Sequence, residues 1–419
     1  MSSTRMIVLT TLVFGGVASA QQPNASAAAF GMGGNFQAAA TGFNAVAWNP
    51  AMLGVGDGGF TLNLLSGGML TGLGPVKLAD ITDFGGKTIP ASTKEAWLNQ
   101  IGNGTETGGA NAGLSIIALS VGPVAFQLGA SGTGDASLNQ DATEVLLYGN
   151  AGRTGAVRDM FFNGSSLNGS SFATGAVSFA LPLPLAPMGG ALERFSAGVT
   201  AKYVRGIAVA RARDNGSSLT ANNIGVVFPV IVTDSDHVGN AGSGFGMDLG
   251  VAWNSGPTTI GATLRNVVNT FQWSTTSLIS RPGTVTFDGT NDSTNFKTAP
   301  YADAPASMRA ALEDEKFKPE FAAGIAHRGG NYTLTADASS RIGEGIDVGP
   351  KTHLGVGAEY RALSFLALRA GVAAVTGGSQ IAGGLGLKLG AAEVGFGMSA
   401  RSMNNNTQYG AMFSLLSIH

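Results

Sequence analysis

Apolar and polar residues alternate with a period of two over the stretch 351–419. Leu354, Val356, Ala358 and Tyr360 share one parity, and Gly355, Gly357, Glu359 and Arg361 share the other. The same alternation recurs over 393–401. Since successive side chains of a β-strand point to opposite faces, this period predicts strands. Strands of about ten residues, each followed by a turn, are typical of outer-membrane barrels.

Short turns fix a register that can be checked by parity. Two-residue turns are predicted at Gly390-Ala391, Gly329-Gly330 and Ser255-Gly256. The predicted pairs are Lys388–Glu393, Leu387–Val394 and Leu385–Phe396 at the first turn, Ile325–Leu334, Ala323–Ala336 and Ala322–Asp337 at the second, and Val251–Ile260, Leu249–Ala262 and Met247–Leu264 at the third. Each register places apolar side chains on a common face, and a slip of one residue would destroy that match. The third register also places Asp248 diagonal to Arg265.

Connections alternate between short and long. Barrels of this type have short periplasmic turns and long extracellular loops. The long connections are predicted at 67–109, 133–170, 206–243 and 269–318. The fold class is therefore all-β: a membrane-spanning, antiparallel, up-and-down barrel of about fourteen strands within 58–419.

The long loops contain some regular structure of their own. Helical patterns are predicted at Ala91–Ile101, Asp141–Tyr148 and Ala304–Lys316, and the region 207–232 has room for an additional hairpin. Trp97, Leu98 and Ile101 fall on one side of the first helix. These three residues, with Phe161 and Phe162, are candidate contacts for an apolar ligand. The alternative is that the loops simply pack on the barrel rim.

Composition separates this barrel from a secreted β-sandwich. Charged residues make up 12% of the chain, about half of the ~25% usual in soluble domains. After the N-terminus no stretch approaches the ~20 consecutive apolar residues of a spanning helix. A formal net charge of −2 argues against nucleic-acid binding. The absence of cysteine excludes disulfides and thiolate metal sites.

The first twenty residues predict export. Arg5 supplies a positive n-region, Met6–Val17 form an apolar core, and Ala18-Ser19-Ala20 is a small-residue cleavage site. We therefore expect a signal peptide at 1–20 and a location in the outer membrane of a Gram-negative cell.

A non-alternating segment rich in Ala and Gly, 21–57, precedes the first strand and contains Asn49-Pro50-Ala51. With a barrel behind it, this pattern resembles the FadL long-chain fatty acid transporter family. The resemblance implies that 21–57 form a hatch that plugs a fourteen-stranded barrel. The blocks 246–250, 357–360 and 368–371 resemble the PorV-like branch of the same superfamily. The chain departs from many outer-membrane barrels in ending on His419 instead of an aromatic residue.

The resemblance implies an outer-membrane channel for hydrophobic small molecules such as long-chain fatty acids, gated by the hatch. Its partners would be the lipid bilayer and an apolar ligand or detergent. The alternative is a PorV-like protein that serves protein secretion or surface attachment, with a secretion-system or surface protein as its partner. A purely diffusive porin is a third, weaker option.

No catalytic constellation emerges from the sequence. His237, His327, His353 and His419 are scattered, and no pair has metal-ligand spacing. We expect no enzymatic activity, no metal and no cofactor. The charges of the polar parity are Asp248, Arg265, Asp337, Glu359, Arg369, Lys388, Glu393 and Arg401. They are predicted to form pairs that stiffen the lumen or hold the hatch. The alternative is a polar path or a head-group site.

Overall fold

The computed structural model describes residues 18–19, 22–23, 26–72, 74–76, 80, 83–84, 87–101, 105–149, 152–156, 158–184, 193–220, 223–287, 292–346, 349–403 and 406–418. Most of the expected signal peptide, 1–20, lies outside the described residues. Its last part contributes Ala18–Ser19, which pairs antiparallel with Gln22–Pro23.

Fourteen strands of the described chain form a closed antiparallel barrel. They are β1 (Phe60–Gly72), β2 (Thr105–Val121), β3 (Val124–Asn139), β4 (Ser166–Pro184), β5 (Glu193–Arg213), β6 (Gly242–Ser255), β7 (Thr258–Asn269), β8 (Glu320–Arg328), β9 (Tyr332–Arg341), β10 (Thr352–Leu363), β11 (Leu366–Val375), β12 (Gly378–Leu389), β13 (Ala392–Met403) and β14 (Asn406–Ile418). Each strand pairs with the next, and β14 pairs with β1. The predicted fold class is confirmed.

The outer face of the barrel carries a belt of large apolar side chains. Examples on successive strands are Val177, Phe179, Val251, Ile260, Ile325, Leu334, Val356, Val372, Leu385, Phe396 and Phe413, all exposed. The residues between them face inward and are small or polar, as with Gln380 and Arg369. A bilayer requires an apolar outer surface, which the belt supplies. It also requires paired backbone polar groups, which the closed ladder of strands supplies. The protein is an outer-membrane barrel. No helix among the described residues is long and apolar enough to cross a membrane.

The predicted register is confirmed at the turn Gly390-Ala391, where Lys388 pairs with Glu393 and Leu385 with Phe396. The other two registers are wrong by two residues. At the β6–β7 turn, Trp253 pairs with Ile260 and Val251 with Ala262. The turn residues are Gly256-Pro257, with φ of +56° at Gly256, because a two-residue hairpin favours positive φ at its first central position.

The β8–β9 connection is one residue longer than predicted. Residues 329–331 lie between the strands, so His327 pairs with Leu334 and Ile325 with Ala336. Both errors are even-numbered shifts, which leave every side chain on its predicted face.

Several strands extend beyond the predicted loop boundaries. β1 runs to Gly72, β3 to Asn139 and β5 to Arg213. Gly, Ala, Ser and Thr make up more than half of the residues in these extensions, so the alternation of large apolar residues is weaker there. The long connections therefore span 73–104, 140–165, 214–241 and 270–319.

The extracellular connections form an ordered outer layer. Its helices are Ala91–Ile101, Gln140–Tyr148 and Ala306–Glu313, close to the three predicted. Short 3₁₀ helices lie at Ser235–His237, Thr275–Ser277 and Tyr301–Asp303. A separate five-stranded sheet contains Met160–Phe161, Ser218–Leu219, Ile224–Val227, Thr284–Phe287 and Asp292–Asn295. Four more short strands pair with the rim of the barrel: Val230–Thr233, Gln272–Trp273, Leu278–Arg281 and Ala299–Pro300. The region 207–232 thus contains additional short strands.

The outer face of β12 should tolerate arginine poorly. Leu385 lies on the lipid face opposite Phe396. Leu385→Arg should lower the free energy of unfolding by about 2–4 kcal/mol, the cost of a charge near the bilayer midplane. Unfolding in urea with lipid vesicles measures this cost, with Leu385→Ala as the control for lost packing. If Leu385→Arg were no more costly than Leu385→Ala, this face would not contact lipid.

Candidate functional site

The N-terminal segment 26–56, here called the plug, lies inside the barrel. Its elements are the helices Ala27–Gly31 (α1), Ala45–Trp48 (α2) and Met52–Val55 (α3), and the 3₁₀ helix Gly42–Asn44. Ser26 caps α1 by accepting a hydrogen bond from the backbone N–H of Ala28. Nearly all of its residues are buried. Such short helices are not stable alone, so the surrounding wall must hold them.

The Asn49-Pro50-Ala51 motif fastens the plug to β5 and β6. Asn49 is fully buried; its Oδ1 accepts a hydrogen bond from the Ala51 N–H at 3.0 Å, and its Nδ2 donates to the Val251 carbonyl at 3.1 Å. The first bond closes the local turn that an Asn side chain forms with the backbone two residues further on. A Cβ at Gly250 would overlap Asn49 Oδ1, and one at Gly198 would overlap the Ala51 backbone. The motif therefore contacts the wall at glycines.

A second contact joins the plug to β8–β11. Asn35 donates from Nδ2 to the Val356 carbonyl at 2.9 Å, and its Oδ1 lies 3.0 Å from His353 Nε2. Thr335 donates to the Asn35 carbonyl at 2.9 Å. The Gln37 N–H donates to Asp337 Oδ2 at 2.7 Å. Wall side chains thus satisfy plug backbone groups that have no regular ladder.

Most of the predicted lumen charges are paired, although not always as expected. Arg265 donates to Glu320 at 2.5 Å and to Gln37 Oε1 at 2.9 Å. Asp248 instead pairs with the buried Lys202 at 2.6 Å. The β6–β7 register shifts here, because β7 has three residues, 265–267, opposite Asp248. The Asn266 N–H donates to Asp248 Oδ1 at 2.8 Å, so Asp248 stays beside this part of β7 while Arg265 pairs with Glu320.

Four of the remaining charges, Glu359, Arg369, Lys388 and Glu393, lie nearer the periplasmic end, whereas Arg401 lies near the extracellular end of β13. Arg369 donates to Glu359 at 2.9 Å and to Glu393 at 2.7 Å. Arg401 donates to Gln380 at 2.8 Å. Lys388 is exposed at the rim, and among the described residues it has no carboxylate within ion-pair distance. All eight predicted residues lie on the lumen parity.

On the extracellular side of the plug, four aromatic rings fill the lumen. Phe172 of β4 contacts Phe271, Trp273 and Phe317, with ring centroids 5.0–5.5 Å apart. The last three residues belong to the connection 270–319, which folds inward instead of standing outside. Sequence analysis missed this cluster. The available signal was the density of aromatic residues directly after β7.

Above the aromatic cluster lies an outer cavity of about 400 Å³. Arg211 and Glu315 form a bidentate pair in its lining with contacts of 2.6 Å, and Trp273 Nε1 donates to Glu315 at 3.0 Å. Met308, Leu312 and Ile346 supply apolar surface. The cavity therefore combines an ion pair with an apolar wall.

A second cavity, of about 330 Å³, lies between the plug and β8–β13. It reaches the β10–β11 turn, so it opens toward the periplasm. We call it the periplasmic cavity. Its lining includes Met32, Phe36 and Asn44 from the plug, and Arg328, Arg361, Phe365, Arg369 and Lys388 from the wall.

The predicted apolar contacts belong to the outer layer instead. Trp97, Leu98 and Ile101 are buried, and Trp97 Nε1 donates to Asp80 at 3.3 Å. Phe161 is exposed in its short strand, and Phe162 follows it. These residues line neither cavity, and their role in ligand binding stays a prediction.

Ion pairs hold this outer layer together. Arg158 contacts Asp141 at 2.6 Å and the buried Glu144 at 2.9 Å. Burial raises the pKa of Glu144, and hydrogen bonds from the Arg153 backbone and from Arg158 lower it. The lowering outweighs the effect of burial, so the pKa lies below its ordinary value. Within the described part of the chain, no group of three or more His, Asp or Glu side chains could hold a metal ion.

One known protein family matches the sequence of this chain. A family described as "F plasmid transfer operon, TraF, protein" matches residues 91–338, more than half of the chain. The chain belongs to this TraF family. No curated protein sequence matches it significantly.

Solved structures share the fold of this TraF-family protein. The CymD monoaromatic hydrocarbon channel is 12% identical, with a TM-score of 0.51 and 97% of each chain covered. A mutant of the TodX monoaromatic hydrocarbon channel is 13% identical, with a TM-score of 0.54, covering 94% of this chain and 98% of its own. The P. putida toluene transporter TodX is 13% identical, with a TM-score of 0.50, covering 96% and 99%. The chain therefore shares the barrel fold of these channels.

An added methyl group at Gly250 should loosen the plug. Gly250→Ala would force Asn49 away from the wall, which should lower stability by about 1–3 kcal/mol, as overpacking does. Hydrogen exchange of 45–56 should become faster while exchange in the strands distant from β6 stays unchanged. Gly330→Ala is the matched control, because a Cβ there meets nothing within 4 Å. Equal exchange in both variants would contradict the contact.

Proposed function

We propose that this protein is a channel for hydrophobic small molecules such as long-chain fatty acids, and that the plug is its hatch. The observation that carries the proposal is a closed lumen with one cavity outside the plug and another on its periplasmic side. A ligand crossing the membrane through the lumen would occupy the outer cavity, pass the aromatic cluster and the plug, and leave through the periplasmic cavity. The structural neighbours are hydrocarbon channels and a toluene transporter, which also supports an apolar ligand.

The way the plug is held supports a role as a hatch. It is fastened by separate side-chain bonds, such as those of Asn49 and Gln37, and not by a strand ladder. A net contribution of about 0.5–1.5 kcal/mol per hydrogen bond means that part of the plug could move without unfolding the barrel. The proposal includes no enzymatic step.

Uptake tests the channel directly. A strain lacking the protein should take up radiolabelled palmitate more slowly, and expression of the intact chain should restore the rate. A variant with Leu385→Ala, which is on the lipid face, serves as a control for expression and insertion. Unchanged uptake in the deletion strain would refute the channel.

A disulfide tether tests movement of the hatch. A Cβ at Gly54 would lie 2.8 Å from Ser196 Cβ on β5, about 1 Å less than the ~3.8 Å of a disulfide, so the two backbones must separate slightly to accept the bond. The chain has no native cysteine, so Gly54→Cys with Ser196→Cys introduces a single pair. The oxidised protein should transport several-fold more slowly, and reduction should restore the rate.

A second tether supplies the comparison. A Cβ at Gly395 would lie 3.0 Å from Ala27 Cβ, at the other end of the plug. If both tethers leave uptake unchanged, the plug is static. If only the tether beside Asn49 slows uptake, the moving part is the motif itself.

A second candidate function is attachment or secretion of a protein, as in the PorV-like alternative. The family description refers to a plasmid transfer operon, and the outer layer exposes Leu146, Val238, Phe287, Phe296 and Ile342. A protein partner of the outer layer would bury these side chains. Stoichiometric co-purification of one secreted protein, lost on changing Phe287 and Phe296 to Ser, would support this function.

A further inference from the structure

The periplasmic cavity contains polar atoms that the protein leaves unsatisfied. Arg369 has a side chain only 3% exposed, and its Nη1 has no hydrogen-bond partner among the described residues. Asn44 Oδ1, on the plug side of the same cavity, also has none. Leaving a buried donor unpaired costs about 1–3 kcal/mol, and more when the group is charged. A ligand that accepts hydrogen bonds would recover that cost.

The charges around the cavity favour an anion. The charged side chains in its lining are four basic residues, Arg328, Arg361, Arg369 and Lys388, and two acidic ones, Glu359 and Glu393. Arg369 contacts both glutamates, and Arg361 lies 3.5 Å from Glu359. In the described chain, neither Arg328 nor Lys388 has a carboxylate within ion-pair distance. The lining therefore keeps an excess of positive charge.

The lining also has an apolar part. Met32 and Phe36 of the plug and Leu363, Phe365 and Leu366 of the β10–β11 turn face the same space. The volume, about 330 Å³, is at the lower end of the range of small-molecule pockets. Such a space suits a small ligand with an anionic end and an apolar end, and it is too small for a folded partner.

We propose that the periplasmic cavity binds the anionic head group of an amphiphile, with the guanidinium of Arg369 as the deepest donor and Arg361 and Lys388 at the entrance. This inference deepens the proposed function, on which it rests for its biological meaning. It predicts that this end of the lumen prefers anionic amphiphiles to neutral hydrocarbons.

Calorimetric titration of the purified full chain in a non-ionic detergent at pH 8 tests the site. The probes are octanoate, octanol and acetate, which separate the contributions of head group and tail. Octanoate should bind at least about ten-fold more tightly than octanol, equivalent to one charge-assisted hydrogen bond. It should also bind more tightly than acetate. A competition with dihexanoyl phosphatidate distinguishes the source of the head group: displacement of octanoate at lower concentration identifies a membrane lipid, and the reverse order identifies a single-chain acid.

The variant Arg361→Gln with Lys388→Gln removes charge at the entrance and leaves Arg369 and its two contacts to Glu359 and Glu393 in place. It should weaken octanoate binding by about five- to ten-fold and leave octanol binding unchanged. The control variant Lys297→Gln with Lys351→Gln removes two positive charges from the extracellular side and should change neither affinity.

Three outcomes would overturn the proposal: equal binding of octanoate and octanol, binding of acetate as tight as octanoate, or no effect of the entrance variant. The result is separable from the uptake experiment. Loss of octanoate binding with normal uptake contradicts only the head-group site, and normal binding with unchanged uptake in the deletion strain contradicts only the channel.

Discussion

The structure depends on one constraint: an irregular backbone is enclosed in a narrow lumen and must still satisfy its polar groups. The plug is almost completely buried and forms no strand ladder with the wall. Its N–H and C=O groups therefore bond to wall side chains, including Asp337 and Thr335, or to its own Asn49. Those bonds need the two backbones to approach closely.

Glycine on the lumen face makes that approach possible. Gly198 and Gly250 lie against the Asn49-Pro50-Ala51 motif, and Gly357, Gly371 and Gly384 lie against α1 and the residues after it. The chain contains 64 glycines, and in a soluble sheet so many would weaken the strands. Here the closed ladder of fourteen strands keeps the wall in place, and the missing side chains leave room for the plug.

The lumen is layered along its axis, and each layer has its own chemistry. The outer cavity combines an Arg–Glu pair with apolar side chains, and the four aromatic rings lie beneath it. The charges around Lys202 and Arg265 come next, followed by the plug and then the periplasmic cavity with its excess of positive charge. This order alternates apolar with polar layers, so a molecule in transit would meet both. An amphiphile can use both kinds of surface, whereas a simple hydrocarbon can use only one.

The sequence by itself determined the barrel, because period-two alternation and short turns are local properties. The parity of every tested strand, the turn at Gly390 and the helix Ala91–Ile101 could all be predicted from neighbouring residues. The charges could be placed on the lumen face, but their partners could not. Asp248 pairs with Lys202 of the neighbouring strand β5, and Arg369 reaches across strands to two glutamates. The aromatic cluster and the contacts of Asn35 and Asn49 join residues far apart in the chain. Only the tertiary structure decided them, because they depend on how a closed wall brings distant strands around one segment.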